Sequence, residues 1–113
     1  MSGYPRNDRP IGKIVAGTTY TIGDGDFDQC LVFTNGSAIA VTLPAPGTGG
    51  GLYGNFYTSL FAQGSGTITI TPGAPLSGST PTINGSTTAT VTTGNSRKIL
   101  LGTDGNWYAP PGV

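Results

Sequence analysis

The chain has 113 residues, 20 of them Gly and 9 Pro, with five Lys or Arg balanced by five Asp and neither His nor Glu. That length holds one domain, and formal neutrality excludes the basic stripe that nucleic acid or an anionic membrane surface requires. The lack of His excludes Ser-His-Asp and Cys-His catalysis, and a single Cys excludes an internal disulfide framework.

Helix patterns are absent, because Gly, Thr, Ser and Pro are poor in helix interiors. Residues 1–12 read as an extended polar arm carrying Arg6, Asp8 and Arg9, without the apolar core of a signal peptide. Residues 13–113 read as one β-domain. Its first run, Lys13 to Ile22, is one bent strand or two, broken at Gly17. Gly23 to Asp28 is a loop. Gln29 to Thr34 reads as a strand buried on both faces, with Cys30 as a small buried apolar residue. Asn35-Gly36 is the strongest short hairpin signal in the chain. It leads to Ala38–Leu43, where Ile39, Val41 and Leu43 alternate with Ala40 and Thr42.

Pro44 stops that strand, and Pro46 to Gly51 is a Gly-rich loop. Asn55 to Ala62 is the next strand, with bulky residues on both faces. Gly64-Ser65-Gly66 is a tight turn. Thr67 to Thr71 points Ile68 and Ile70 inward, and Pro72 to Pro81 is a second loop. Asn84-Gly85 is another turn signal. Thr87 to Thr93 places Ala89 and Val91 inward. Arg97 to Leu101 follows, then the Asp104-Gly105 turn and Asn106 to Ala109 with Trp107. About eight short strands separated by regular turn signals predict an all-β fold, an antiparallel β-sandwich or jelly-roll-like barrel.

Little chemistry is on offer. No GxxxxGK[ST] phosphate loop occurs. A carboxylate pair for glycoside hydrolysis has only Asp24, Asp26, Asp28 and Asp104 to draw on besides Asp8, and Asp in Gly-rich turns ordinarily bonds the local backbone. No catalytic, cofactor-binding or metal residue is assigned. Asp24, Asp26 and Asp28 copy the opening of an EF-hand loop, but Gln29 stands where that loop needs Gly and Asn35 where it needs Glu. Calcium there is the weaker reading, a solvated acidic loop the stronger. Tyr53, Trp107 and Tyr108 are candidate surface or interface aromatics. Core or subunit packing is favoured for them over sugar stacking.

The order of motifs resembles a small β-domain of tailed-bacteriophage virion proteins, of the decoration, head-fibre and tail-fibre type. The matching elements are Tyr20-Thr21-Ile22, Leu31-Val32-Phe33, Val41-Thr42-Leu43-Pro44, Gly66-Thr67-Ile68-Thr69-Ile70, Thr82-Ile83-Asn84-Gly85 and Asp104-Gly105-Asn106-Trp107-Tyr108. They span residues 18–109. The resemblance implies a β-sandwich, often a homotrimer, with a structural role and no catalytic residues.

The expectation is therefore a non-enzymatic virion protein assembled in the host cytoplasm. Its leading form is a capsid decoration (cement) protein or head fibre. The alternative is a tail-fibre or baseplate component, or a glycan-binding receptor module. The arm is expected to dock on a neighbouring subunit or the major capsid protein through Arg6 and Arg9. Neither nucleic acid nor membrane is expected as a partner.

Overall fold

The computed structural model of the protein describes residues 12–43, 56–73, 81–102 and 105–110. Nine short strands lie in that part: β1 (Gly12–Val15), β2 (Thr19–Thr21), β3 (Cys30–Phe33), β4 (Ile39–Leu43), β5 (Tyr57–Ala62), β6 (Ile68–Pro72), β7 (Ala89–Val91), β8 (Ser96–Leu101) and β9 (Trp107–Tyr108). A single 3-10 turn, Asp24–Asp26, is the one helical element among the described residues. The first predicted run is thus two strands, parted at Gly17.

The strands form two sheets, in the orders β1-β3-β5-β8-β9 and β2-β4-β6-β7. Through β6 the chain alternates between them, one strand in each, so every coil lays its strands beside those of the coil before. β1, β3 and β5 are therefore parallel neighbours, as are β2, β4 and β6. After β6 the direction reverses: β7 runs antiparallel to β6, β8 to β5 and β9 to β8. The sheets are mixed, and the antiparallel sandwich or jelly-roll expectation is corrected on this point. Strand content and inward alternation are the same for either pairing, so sequence periodicity does not separate them.

Both sheets contribute to one hydrophobic cluster, with Leu31, Phe33, Leu60, Ile68, Ile70, Ile83, Ile99 and Trp107 at its fully buried centre. Ile39, Val41 and Leu43 point inward and Ala40 and Thr42 outward, as the alternation predicts. In β3 only Leu31 and Phe33 are buried. Cys30 and Val32 are half-buried in the outward phase, which corrects both the two-sided burial of this strand and the buried Cys30.

Stacking gives continuous rows of side chains. One inward row of the first sheet reads Lys13, Leu31, Leu60, Arg97 across β1, β3, β5 and β8. Charged residues thus stand at the two ends of a row whose middle is leucine. Long stems lie on apolar surface while their heads reach water, so both ends of this row are compatible with solvent, β9 covering β8 only at Leu100 and Leu101. Terminal coils with polar outer surfaces are what a stacked-coil fold needs in order to stop.

The corners between the sheets are stacked too. Asn35 lies in the corner between β3 and β4. Its Nδ2 donates to Ala16 O of the previous coil at 2.9 Å, and its Oδ1 accepts from Ser37 N at 2.8 Å. From the next coil Gly66 N donates to Asn35 O at 3.1 Å. Asn35-Gly36 therefore joins strands of different sheets, where a hairpin is expected from the dipeptide. Asn84-Gly85 does form the hairpin turn. Both residues have positive φ, 54° and 78°, and Ile83 and Ser86 exchange backbone hydrogen bonds of 2.9 Å in each direction. That is the type I′ geometry.

Candidate functional site

The densest group of titratable side chains among the described residues is Lys13, Tyr20 and Asp26. β1 supplies Lys13, β2 supplies Tyr20, and the 3-10 turn after β2 supplies Asp26. All three belong to the first coil. Tyr20 is inward in its strand, paired in register with Val41, and its ring meets Phe33 edge-on at 6.0 Å between centroids. The aromatic body thus covers the core while the hydroxyl reaches the rim.

The network is a chain of donors ending on a buried carboxylate. Lys13 Nζ donates to Tyr20 Oη at 2.8 Å. Tyr20 Oη lies 2.8 and 2.9 Å from the two Asp26 oxygens. Gly23 N donates to Asp26 Oδ2 at 3.0 Å, and Lys13 Nζ makes an ion pair with Asp26 Oδ1 at 3.3 Å. Asp26 is 3% exposed. A buried carboxylate is stable only when paired and hydrogen-bonded, and here both oxygens are.

Burial pushes the Tyr20 phenol above its ordinary value of 10.0, with the Asp26 carboxylate adding to the shift and Lys13 opposing it. The hydrogen bond to Tyr20 pushes the Lys13 ammonium above 10.5, against the effect of burial. Neither direction suits a base or nucleophile at neutral pH, which needs a lowered pKa. Both groups hold their protons, and the arrangement acts as a clasp across the end of the first coil.

Two expected outcomes follow from the clasp. Asp26→Ala strands the Tyr20 hydroxyl and the Gly23 N–H and should cost about 2–3 kcal/mol, read from urea unfolding. The second concerns pH. Folded Tyr20 and Lys13 both have pKa values above their unfolded ones, so their stabilisation is complete below pH 10 and lost as pH rises through the folded values. The unfolding midpoint should hold between pH 7 and 9 as far as these groups determine it, then fall above about pH 10. Tyr20→Phe should flatten part of that fall. An identical alkaline limb in wild type and Tyr20→Phe would disprove this account.

Of the other residues singled out in the sequence, Asp28, Trp107 and Tyr108 are described and make no bond to this clasp. Arg6, Arg9, Tyr53 and Asp104 lie outside the described residues. Trp107 is fully buried, which corrects its reading as a surface aromatic in favour of core packing. It meets Phe56 edge-on at 6.2 Å. Its Nε1 is buried and has no hydrogen-bond partner among the described residues. Tyr108, its neighbour in the strand, is 41% exposed on the outer face. Of the Asp24-Asp26-Asp28 triplet, Asp26 is committed to the clasp, and Asp28 is exposed, with a positive φ of 61°. No group of three metal-ligating side chains gathers among the described residues.

Sequence reasoning missed the clasp. Lys13 and Tyr20 are separated by the turn at Gly17, and only the division of this run between two sheets brings both to Asp26. No spacing signal in the sequence marks that division.

The outer faces of the two sheets differ in chemistry. On the second sheet the outward rows are Thr19, Ala40, Thr69, Thr90 and Thr21, Thr42, Thr71. On the first sheet one row is Ile14, Val32, Phe61, Ser96, and another is Tyr57, Leu100, Tyr108. Lys98 is the one charged side chain in the outward rows of the first sheet, and its Nζ sits 5.3 Å from the Tyr57 ring centroid.

No family model matches the chain, and neither a curated protein nor a solved structure matches it.

Proposed function

We propose that the chain is a non-enzymatic structural protein of a bacteriophage virion, a capsid decoration (cement) protein or head fibre that acts as copies of itself. The observation that carries this reading is the disposition of its polar chemistry. The Lys13–Tyr20–Asp26 cluster is closed on itself, while the large hydrophobics exposed among the described residues, Ile14 and Tyr108, stand on the outer face of one sheet. Such a body is suited to holding other surfaces together. The order of sequence motifs, with its resemblance to tailed-phage β-domains, supplies the virion context.

Particles of the virus encoding the chain, purified on a density gradient, should carry it in many copies by quantitative mass spectrometry. Its absence from purified particles would overturn the virion reading. Deleting residues 1–11 leaves β1 intact and should yield a folded domain that no longer attaches to heads, because Arg6 and Arg9 go with the deleted arm. Full occupancy by the truncated chain would remove the arm from the proposal. The glycan-binding alternative has Tyr108 as its exposed aromatic. Reproducible glycan-array hits lost in Tyr108→Ala would favour it over a head location.

A further inference from the structure

We infer that the first coil, residues 12–26, is a hinged cap that leaves the stack as one body while the coils behind it stay folded. The inference rests on the fold alone and goes beyond the reading above.

The cap is closed on itself. Lys13 and Asp26 pair with each other, and Tyr20 Oη and Gly23 N complete the bonds to the carboxylate, all within the same coil. Detaching the coil parts neither charge from its partner, so the penalty for an unpaired buried charge does not oppose the movement.

The cap is also thinly attached. Within the sheets β1 pairs with β3 alone and β2 with β4 alone, whereas β3 and β4 are paired on both sides. To the buried core the cap supplies Val15 and Ile22, with Tyr20 half-buried against Phe33. The second coil supplies Leu31, Phe33, Ile39, Val41 and Leu43. Stabilisation follows the apolar area buried, and in a stack each coil is held only by its neighbours. The first coil therefore opens at a lower free energy than those behind it.

The hinge lies at Phe27 and Asp28. The Phe27 ring stands 4.9 Å from that of Tyr57 and 6.1 Å from that of Phe56. Asp28 N donates to Tyr57 O at 2.9 Å. The chain is thus pinned to the start of β5 just after the cap ends and just before β3 begins. Residues before Phe27 can swing away without disturbing β3.

Three of the backbone bonds between the cap and the second coil lie well apart. Thr34 N donates to Val15 O at 3.1 Å, Ala40 N to Thr18 O at 2.8 Å and Ile22 N to Thr42 O at 2.9 Å. The first reports the end of β1, the other two the two ends of β2. Departure of the cap breaks all three together. It leaves intact the bonds of Ile39 N to Thr67 O, Gly66 N to Asn35 O and Ala62 N to Asn95 O, at 2.9, 3.1 and 3.0 Å.

The test is amide hydrogen exchange of the full chain, followed by NMR at several low urea concentrations. Ile22, Thr34 and Ala40 should share one opening free energy and one urea slope, and be less protected than Ile39, Ala62 and Gly66. Trp107→Phe, which weakens the other end of the stack, should speed Ala62 about tenfold and leave Ile22, Thr34 and Ala40 unchanged. Tyr20→Phe keeps the ring on Phe33 and removes the hydroxyl that links Lys13 of β1 to Asp26. It should separate Thr34, which reports β1, from Ile22 and Ala40, which report β2. Protection of the three amides equal to that of Ala62, or a shared response to Trp107→Phe, would overturn the cap, because the domain would then open in one step. Three unrelated rates without urea dependence would overturn it in favour of residue-by-residue fraying at a sheet edge. Coincident rates persisting in Tyr20→Phe would overturn the role of the clasp in making the cap one body.

Discussion

Gly66→Ala is expected to destabilise the protein by about 3 kcal/mol or more, the upper range for overpacking a well-filled interior. A Cβ at this position would stand 2.7 Å from the Ser37 carbonyl carbon and 2.9 Å from Asn35 O. Both are backbone atoms, so no side chain can rotate away. The corner they belong to cannot retreat easily either, because Asn35 is tied to Ala16 O by its side chain and to Gly66 N by its carbonyl. Gly64 is in the same position one step earlier, with a Cβ there falling 2.6 Å from Asn35 O. Close approach of stacked corners is the reason for both glycines, and left-handed backbone is not involved. Gly25→Ala is the control. A Cβ there meets nothing within 4 Å, and the change should stay within about 0.5 kcal/mol. Urea midpoints compare the two variants. A Gly66→Ala protein as stable as Gly25→Ala would show that the corners are not stacked as described.

Trp107→Ala should cost about 3–5 kcal/mol, the usual range for deleting a large buried aromatic, and lower the midpoint of thermal unfolding by roughly 10 °C or more. The residue is fully buried, packs edge-on against Phe56 and pairs in register with Leu101. Its backbone is also used twice: Trp107 N donates to Thr82 O at 2.8 Å and Trp107 O accepts from Asn84 N at 3.0 Å. Those bonds survive substitution, so the loss reports the side chain. Trp107→Phe should be far milder than Trp107→Ala. The indole N–H has no partner among the described residues, and replacing the indole removes a donor whose burial is itself unfavourable. The cost that remains is the smaller ring volume, about 1–2 kcal/mol. Equal losses in the two variants would mean that the indole N–H is bonded in solution, for instance to a buried water.

The sequence by itself determined that the chain is all-β, where its strands lie and which side of most of them is buried. Alternation of Ile39, Val41 and Leu43, and of Ile68 and Ile70, is a direct record of inward positions, because side chains in a strand point to opposite faces in turn. It also determined the turn at Asn84-Gly85. Tertiary structure decided how the strands are joined. The same dipeptide at Asn35-Gly36 becomes a corner between sheets, because the Asn35 side chain finds Ala16 O in the preceding coil and Gly66 N finds Asn35 O from the following one. Those partners are far away in sequence, and the local turn preference yields to them. The parallel pairing of β1, β3 and β5, the meeting of Lys13, Tyr20 and Asp26, and the outward row of Ile14, Val32 and Phe61 all follow from the same stacking of coils. Period-two alternation records which side of a strand faces the core, but it carries no record of which strand lies alongside.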